Sequence, residues 1–169
     1  MTEQKARISK MGYTNSSLVS YTKLSPNHSG QRTHSIDRIT PHCVVGQCSV
    51  ETLGSIFLPT SKQASCNYGI GADGRVGMYV EEKNRSWCSS SNANDQRAVT
   101  IECASDTTEP YAFKDVVYQT LIKLCADICK RKLIKIIPKQ KPKKFCSDAC
   151  RTVWWKLHPE CINRKATYN

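Results

Sequence analysis

Two residues with the side chains of a hydrolytic metal site, His42 and Glu102, each lie in a segment of alternating polar and apolar residues. A catalytic zinc ion needs three protein ligands and an open position for water, and imidazole is a common ligand. A carboxylate beside such an ion can act as a general base, and burying it is costly without a partner or a task. His42 is therefore a candidate ligand and Glu102 a candidate catalytic residue. A satisfied strand histidine and a half-exposed strand glutamate are the alternatives.

Further potential ligands lie near the C-terminus, at Cys146, Cys150, His158 and Cys161. His158 and Cys161 are zinc ligands by type and could complete a site begun by His42. The four residues could instead close a separate site, since nitrogen and sulfur donors in a tetrahedral set suit zinc. For this segment we favour the remaining alternative, a disordered tail with free thiols.

Two predicted strands must position His42 and Glu102. The alternation over 39–45 places His42 on the polar side of the first strand, and that over 98–104 places Glu102 on the polar side of the second. The apolar face of the second strand carries Val99, Ile101 and Cys103. If the two strands are neighbours in one sheet, His42 and Glu102 can face each other.

Helix and turn signals supply the remaining elements. Ser49 is a good N-cap for a helix that ends near Leu58, just before a proline. A hairpin is predicted over 66–80 around Asp73-Gly74, a pair that tolerates the positive φ of a tight turn. A long helix is predicted over 110–130, with Thr107 or Thr108 as its cap. Its apolar stripe consists of Phe113, Val117, Leu121, Leu124 and Ile128.

This order of elements predicts an α/β fold, with a mixed central sheet and packed helices, followed by a basic, partly disordered C-terminal tail. The stretches 1–35 and 81–96 lack a sustained period and are interpreted as an irregular arm and a polar loop. The predicted organisation is a flexible arm (1–20), a main domain (21–131), a basic linker (132–144) and a Cys- and Trp-containing tail (145–169).

The net charge of +11 is concentrated at the C-terminus, where residues 130–169 hold 12 Lys and Arg against 2 acidic residues. Such a segment could bind nucleic acid or the anionic polymers of a bacterial wall, or could remain a solvated linker. No apolar run is long enough to span a membrane. The N-terminal MTEQKARISK lacks the apolar stretch of a signal peptide, so synthesis in the cytoplasm is expected. The ten cysteines therefore favour free thiols over disulfides, and Cys88 is interpreted as a small core residue.

Four segments carry a family resemblance: RITPHCVVGQ, SVETLGSIF, ASCNYGIGADGRVGMYVEE and RSWCSSSNANDQRAVTIECA. In this order they resemble the zinc-dependent N-acetylmuramoyl-L-alanine amidases, which include phage endolysins and are related to peptidoglycan-recognition proteins. The resemblance covers roughly residues 20–131. It implies hydrolysis of the amide between N-acetylmuramic acid and L-alanine in peptidoglycan, at the cell wall after release or lysis. By position it makes His42 the first zinc ligand and Glu102 the catalytic carboxylate. The implied substrate cleft contains Cys66, Tyr68, Trp87, Asn92 and Asn94.

The chain departs from this family pattern at three places. Cys66 stands where some relatives have a catalytic tyrosine. Members normally supply a second histidine after the long helix and a third ligand in a Cys-Pro-Gly motif, which is missing here. His158 and Cys161 are the replacements available, and they are more closely spaced than the family's pair. The tail weakly resembles half of a bacterial zinc-finger-like segment. Two alternatives to an active amidase therefore stay open: a non-catalytic peptidoglycan-binding module, and nucleic-acid binding through the tail.

Overall fold

The computed structural model describes residues 14–132 and residue 134. The four potential ligands of the tail and almost all of the predicted linker lie outside the described residues. The strands are β1 (Val19–Thr22), β2 (His28–Gln31), β3 (Arg38–Cys43), β4 (Tyr68–Ile70), β5 (Val76–Met78), β6 (Asn84–Ser86) and β7 (Ala98–Cys103). The helices are α1 (Val50–Phe57), α2 (Asn92–Asp95) and α3 (Asp115–Lys132), with a short 3-10 helix at Thr60–Lys62.

The predicted mixed sheet is confirmed, and its strand order is β1-β5-β4-β7-β3. The β4–β5 hairpin is antiparallel, whereas β1–β5, β4–β7 and β3–β7 are parallel pairs. A separate antiparallel pair joins β2 to β6. The prediction that 1–35 and 81–96 are irregular is wrong for β1, β2, β6 and α2. These are elements of three or four residues whose pairing is set by distant partners, so they leave no periodic pattern.

The two faces of the sheet pack against different helices. On one face, Val99, Ile101 and Cys103 of β7 join a core cluster with Leu121, Leu124 and Ile128 of α3. On the other, Leu53 and Phe57 of α1 pack with Cys66 and Tyr79. The predicted alternation along β7 is therefore confirmed. Glu102 lies on the face that carries α1.

Two glycines let α1 approach this second face closely. A Cβ at Gly69 would lie 2.7 Å from the Tyr79 ring, and one at Gly77 would clash with the Tyr79 hydroxyl. The ring therefore rests directly on β4 and β5, and its hydroxyl donates a hydrogen bond of 2.8 Å to the carbonyl of Val50 at the start of α1. As predicted, Ser49 caps this helix, accepting a hydrogen bond from the Thr52 amide at 3.2 Å.

The long helix begins later than predicted, at Asp115 rather than near Pro110. Tyr111 has a positive φ of 55°. That left-handed conformation interrupts a right-handed helix, so neither Thr107 nor Thr108 caps it. The predicted stripe is otherwise confirmed, because four of its five residues are buried within α3 and Phe113 packs just before it. None of the helices in the described residues is long and apolar enough to cross a membrane.

Candidate functional site

Parallel pairing of β3 and β7 brings the two candidate residues together. His42 lies directly opposite Glu102 in the strand register, so the two side chains extend from the same face of the sheet. Both are half-buried. The Nε2 atom of His42 is buried and has no hydrogen-bond partner within the described residues. A buried polar nitrogen without a partner is unusual in a folded protein and requires an explanation.

A third residue, Cys88, joins this pair from the loop after β6. One donor atom from each of His42, Cys88 and Glu102 lies within 4.8 Å of the other two. The Cys88 thiol is 3.6 Å from Oε1 of Glu102, as a thiol donating to a carboxylate would be. Imidazole nitrogen, thiolate sulfur and carboxylate oxygen are all donors that zinc accepts. We call His42, Cys88 and Glu102 the donor cluster.

The loop that carries Cys88 is held in place by Asp95 at the end of α2, an almost fully buried carboxylate. The Cys88 amide donates to Oδ2 of Asp95 at 3.0 Å, and the Ser89 hydroxyl donates to Oδ1 at 2.5 Å. Asn94 extends the network, with Nδ2 donating to Oγ1 of Thr40 at 3.2 Å and to the Ser89 hydroxyl at 3.1 Å. Since Thr40 precedes His42 on β3, these bonds join the loop to the strand of the histidine.

The predicted cleft residues on this side of the sheet lie at different depths. Trp87 is half-buried next to Cys88, and its ring nitrogen donates to Ser29 Oγ at 2.7 Å. Asn92 is exposed on α2, and Asn94 is occupied with the loop hydrogen bonds. Cys66 is completely buried. Trp87 and Asn92 are thus accessible to a bound ligand. Cys66 is a core residue that a ligand cannot reach, so its predicted place in the cleft is corrected.

The structure does not bring Tyr68 to the donor cluster. Tyr68 is in register with Ile101, so its side chain extends from the α3 face of the sheet, opposite to that of Glu102. The ring is fully buried, and its hydroxyl donates to Oε1 of Glu82 at 2.7 Å. The predicted cleft position of Tyr68 is therefore corrected to a core position. Strand alternation explains the difference, because Tyr68 and Glu102 belong to opposite parities.

Burial and negative charge keep the thiols near the donor cluster protonated in the metal-free protein. Burial raises the pKa of the Cys88 thiol, and the carboxylates of Glu102 and Asp95 raise it further. Burial also raises the pKa of Cys66 well above its usual range, and nearby Cys88 and Glu102 add to that effect. The seven cysteines within the described residues are free thiols.

Sequence reasoning missed Cys88 as a site residue. Its prediction as a core cysteine is confirmed in part, because Cys88 packs against the cluster of Leu53, Phe57, Cys66 and Tyr79. Its thiol, however, also faces Glu102. One feature of the sequence indicates a site residue: Cys88 follows Trp87 in a polar loop, where no apolar pattern predicts a buried residue. His158 and Cys161, the other predicted ligands, lie outside the described residues.

Comparison with solved structures places the fold. The chain is similar to a selenomethionine derivative of AmpD, with a TM-score of 0.56 and 17% identity over 82% of this chain and 96% of that one. A mutant endolysin from Bacillus subtilis gives 0.57 and 12%, covering 68% and 77% of the two chains. Drosophila peptidoglycan recognition protein SA gives 0.52 and 17%, covering 72% and 84%. At these identities the likeness concerns the fold alone. No curated protein matches the sequence.

A family comparison covers most of the chain. Residues 17–158 match the Amidase_2 family of N-acetylmuramoyl-L-alanine amidases. The match extends beyond the predicted limit near residue 131, passes through the basic segment and ends at His158. We conclude that this chain belongs to the N-acetylmuramoyl-L-alanine amidase family.

Proposed function

We propose that this protein is a zinc-dependent amidase that hydrolyses the bond between N-acetylmuramic acid and the L-alanine of the peptidoglycan stem peptide. The observation that carries the proposal is the in-register pairing of His42 with Glu102, together with a buried imidazole nitrogen that has no hydrogen-bond partner among residues 14–132. Family membership supplies the substrate class. We infer that the protein acts at the cell wall, after release or lysis.

The residues present fit a zinc ion. His42 offers a buried nitrogen that no described group satisfies. The Cys88 sulfur and a Glu102 oxygen lie within 4.8 Å of a ring nitrogen of His42. His42 is the ligand that we assign first, and His158 and Cys161 stay predicted ligands. When bound, zinc would polarise the scissile carbonyl and lower the pKa of a water molecule.

Glu102 is the residue to which we assign proton transfer. Its carboxylate lies among the donor atoms of the cluster, where it can accept a proton from the attacking water and deliver it to the leaving amine of L-alanine. The amide needs this step, because an amine leaves readily only after protonation. Trp87, which precedes Cys88 in the chain, and the exposed Asn92 would contact the glycan or the peptide.

The product chemistry tests this proposal. Purified full-length protein with zinc is incubated with isolated peptidoglycan, and both new amino-terminal alanine and new reducing sugar ends are measured. We expect new alanine amino termini without new reducing ends, and loss of this release in His42→Ala. His28→Ala is a matched control at a histidine outside the donor cluster. Release of reducing ends, or equal alanine release by His42→Ala, would contradict the proposal.

One observation favours a second candidate, a module that holds peptidoglycan without cleaving it. Cys66 stands where some relatives have a catalytic tyrosine, and its thiol is completely buried. A cysteine has no hydroxyl, and a buried thiol cannot take the place of the tyrosine hydroxyl in the reaction. Such a module would sediment with insoluble walls at moderate salt and release no soluble fragment. The predicted alternative of nucleic-acid binding concerns the tail, which lies outside the described residues.

A further inference from the structure

We infer that Cys88 is a metal ligand, so that His42 and Cys88 together hold a divalent cation such as zinc beside the Glu102 carboxylate. The inference deepens the proposed function and rests on it for a metal at His42. Its new content is a thiolate ligand from the folded domain, in a loop whose family resemblance implied only a role in the substrate cleft. The remaining coordination positions stay open to water, substrate or residues beyond 132.

The position of the three donor atoms is the first support. They lie within 4.8 Å of one another, so small side-chain adjustments bring the nitrogen and the sulfur onto one cation. The Cys88 sulfur is 3.6 Å from the Glu102 carboxylate. A zinc ion about 2.3 Å from that sulfur would therefore lie next to a negative charge that stabilises it. The buried Nε2 of His42, which has no hydrogen-bond partner among the described residues, would then gain one.

The rigidity of the Cys88 loop is the second support. Asp95 accepts hydrogen bonds from the amides of Cys88 and Ser89, and the Trp87 amide donates to Ser65 Oγ at 3.1 Å. Asp95 and Ser65 are themselves almost fully buried. The backbone is thus held immediately before, at and after the cysteine. A metal ligand needs this kind of support, because small displacements of a donor atom weaken a site.

Chemistry separates Cys88 from the neighbouring thiol of Cys66. Cys66 is enclosed with Leu53, Phe57 and Tyr79, where a cation would lose its water without enough donors. Cys88 packs against the same cluster, but it is only half-buried, and its sulfur lies within 4.8 Å of the two other donor atoms. In the metal-free protein its thiol can donate to Glu102. Binding a divalent cation would break the S–H bond, form a metal–sulfur bond and release one proton to solvent.

Cobalt(II) titration of the full-length reduced protein tests the assignment without measuring hydrolysis. A thiolate bound to cobalt gives an intense charge-transfer absorption in the near ultraviolet, which an imidazole or carboxylate does not. Because the tail carries three cysteines, the titration is done in a background with Cys146→Ser, Cys150→Ser and Cys161→His, which removes the tail sulfurs but keeps His158 and a nitrogen donor at position 161. We expect the charge-transfer band to persist in this background at one cobalt per chain. Disappearance of the band with the tail substitutions would overturn the inference.

Substitutions at Cys88 complete the test. In the same background, Cys88→Ser should abolish the band and weaken cobalt binding by more than about 100-fold, beyond the usual loss from changing a ligand's outer partners. Cys129→Ser, at a half-buried cysteine on α3, is the matched control and should keep the band and the cobalt affinity. Cys88→His should retain cobalt binding but lose the band, since it replaces sulfur by nitrogen.

Two readouts keep this result separate from misfolding and from the amidase proposal. Urea unfolding without metal should show Cys88→Ser and Cys129→Ser folded to the same extent under the titration conditions. An unchanged band in folded Cys88→Ser would overturn the inference. A Cys88-dependent band in a protein that releases no alanine would support the inference while the proposed function fails.

Discussion

Glu82 and Glu102 are two acidic residues of one domain, but the groups that surround them differ in kind. Glu82 is completely buried at the α3 face of the sheet. Arg131 binds it through two nitrogens, at 2.7 and 3.0 Å, and Lys132 binds Oε2 at 2.9 Å. The Tyr68 hydroxyl adds a further hydrogen bond. Arg131, Lys132 and Tyr68 stabilise its charge, and the two cations attach the C-terminal end of α3 to the segment between β5 and β6.

Glu102 lies on the opposite face, where its neighbours do not enclose it in the same way. The side chain is half-buried, and both a thiol and an imidazole nitrogen lie within 4.8 Å of its oxygens. The comparison shows two uses of a carboxylate within one domain. Fixed cations make Glu82 a structural residue, whereas groups that bind metals and exchange protons make Glu102 a candidate for chemistry.

The largest effect is expected for Glu102→Gln, which removes the proton acceptor and keeps the shape. The rate of alanine release should fall by about 100- to 10,000-fold, the usual contribution of a general acid–base group. Glu82→Gln should leave the rate per folded molecule unchanged. Both rates are measured on isolated peptidoglycan with zinc present. Similar losses of rate in the two variants would break the distinction between the two carboxylates.

Glu82→Ala is expected to lower the stability of the fold, whereas Glu102→Gln is expected to lower the reaction rate. This change removes the carboxylate that binds buried Lys132 and half-buried Arg131, although Arg131 keeps its ion pair with Asp127. It should lower the free energy of unfolding by about 3 kcal/mol. Urea denaturation followed by circular dichroism measures it. Glu51→Ala, which removes an exposed ion pair with Arg75, is the matched control and should cost much less. Comparable losses would mean that burial of the Glu82 network does not matter.

A dependence on acid pH should follow from the same network. Burial alone would raise the pKa of Glu82, but hydrogen bonds from Arg131, Lys132 and Tyr68 outweigh it and lower that pKa. Because the pKa of Glu82 is lower in the folded than in the unfolded chain, Glu82 stabilises the fold at pH values above its pKa in the unfolded chain. This stability is lost as the pH falls through the folded value, at no more than about 1.4 kcal/mol per pH unit.

Urea unfolding of wild-type protein and Glu82→Gln across the acid range measures this contribution. Since Asp37, Asp73 and Asp127 also have lowered pKa values, the difference between the two proteins isolates Glu82. The wild-type curve should fall more steeply. Parallel curves would show that the pKa of Glu82 does not differ between the folded and the unfolded chain.

The smallest effect is expected for Asn94→Ala, which removes hydrogen bonds to Thr40 and Ser89. Stability should fall by about 1 kcal/mol, and cobalt affinity by about tenfold through loosening of the Cys88 loop. Asn92→Ala, at an exposed position of the same helix, is the control. Unchanged cobalt affinity in Asn94→Ala would show that this loop does not need its link to β3.

Local patterns predicted the elements that have local causes. The Asp73-Gly74 turn, the Ser49 cap and the stripe along α3 each depend on residues close in sequence, and each was found. The start of α3 was misplaced, because the conformation of Tyr111 leaves no mark in the hydrophobic pattern. The short strands β1, β2 and β6 were missed since their partners are far away along the chain.

Residue type and alternation in the sequence determined by themselves that His42 and Glu102 lie on the polar sides of two strands. Only the tertiary structure decided that these strands are parallel neighbours in matching register, that Cys88 reaches the same place, and that Tyr68 and Glu82 belong to a separate buried network. The physical reason is the range of the interactions involved. Alternation is a property of one strand, whereas a site requires the pairing of strands and the anchoring of a loop by a distant carboxylate.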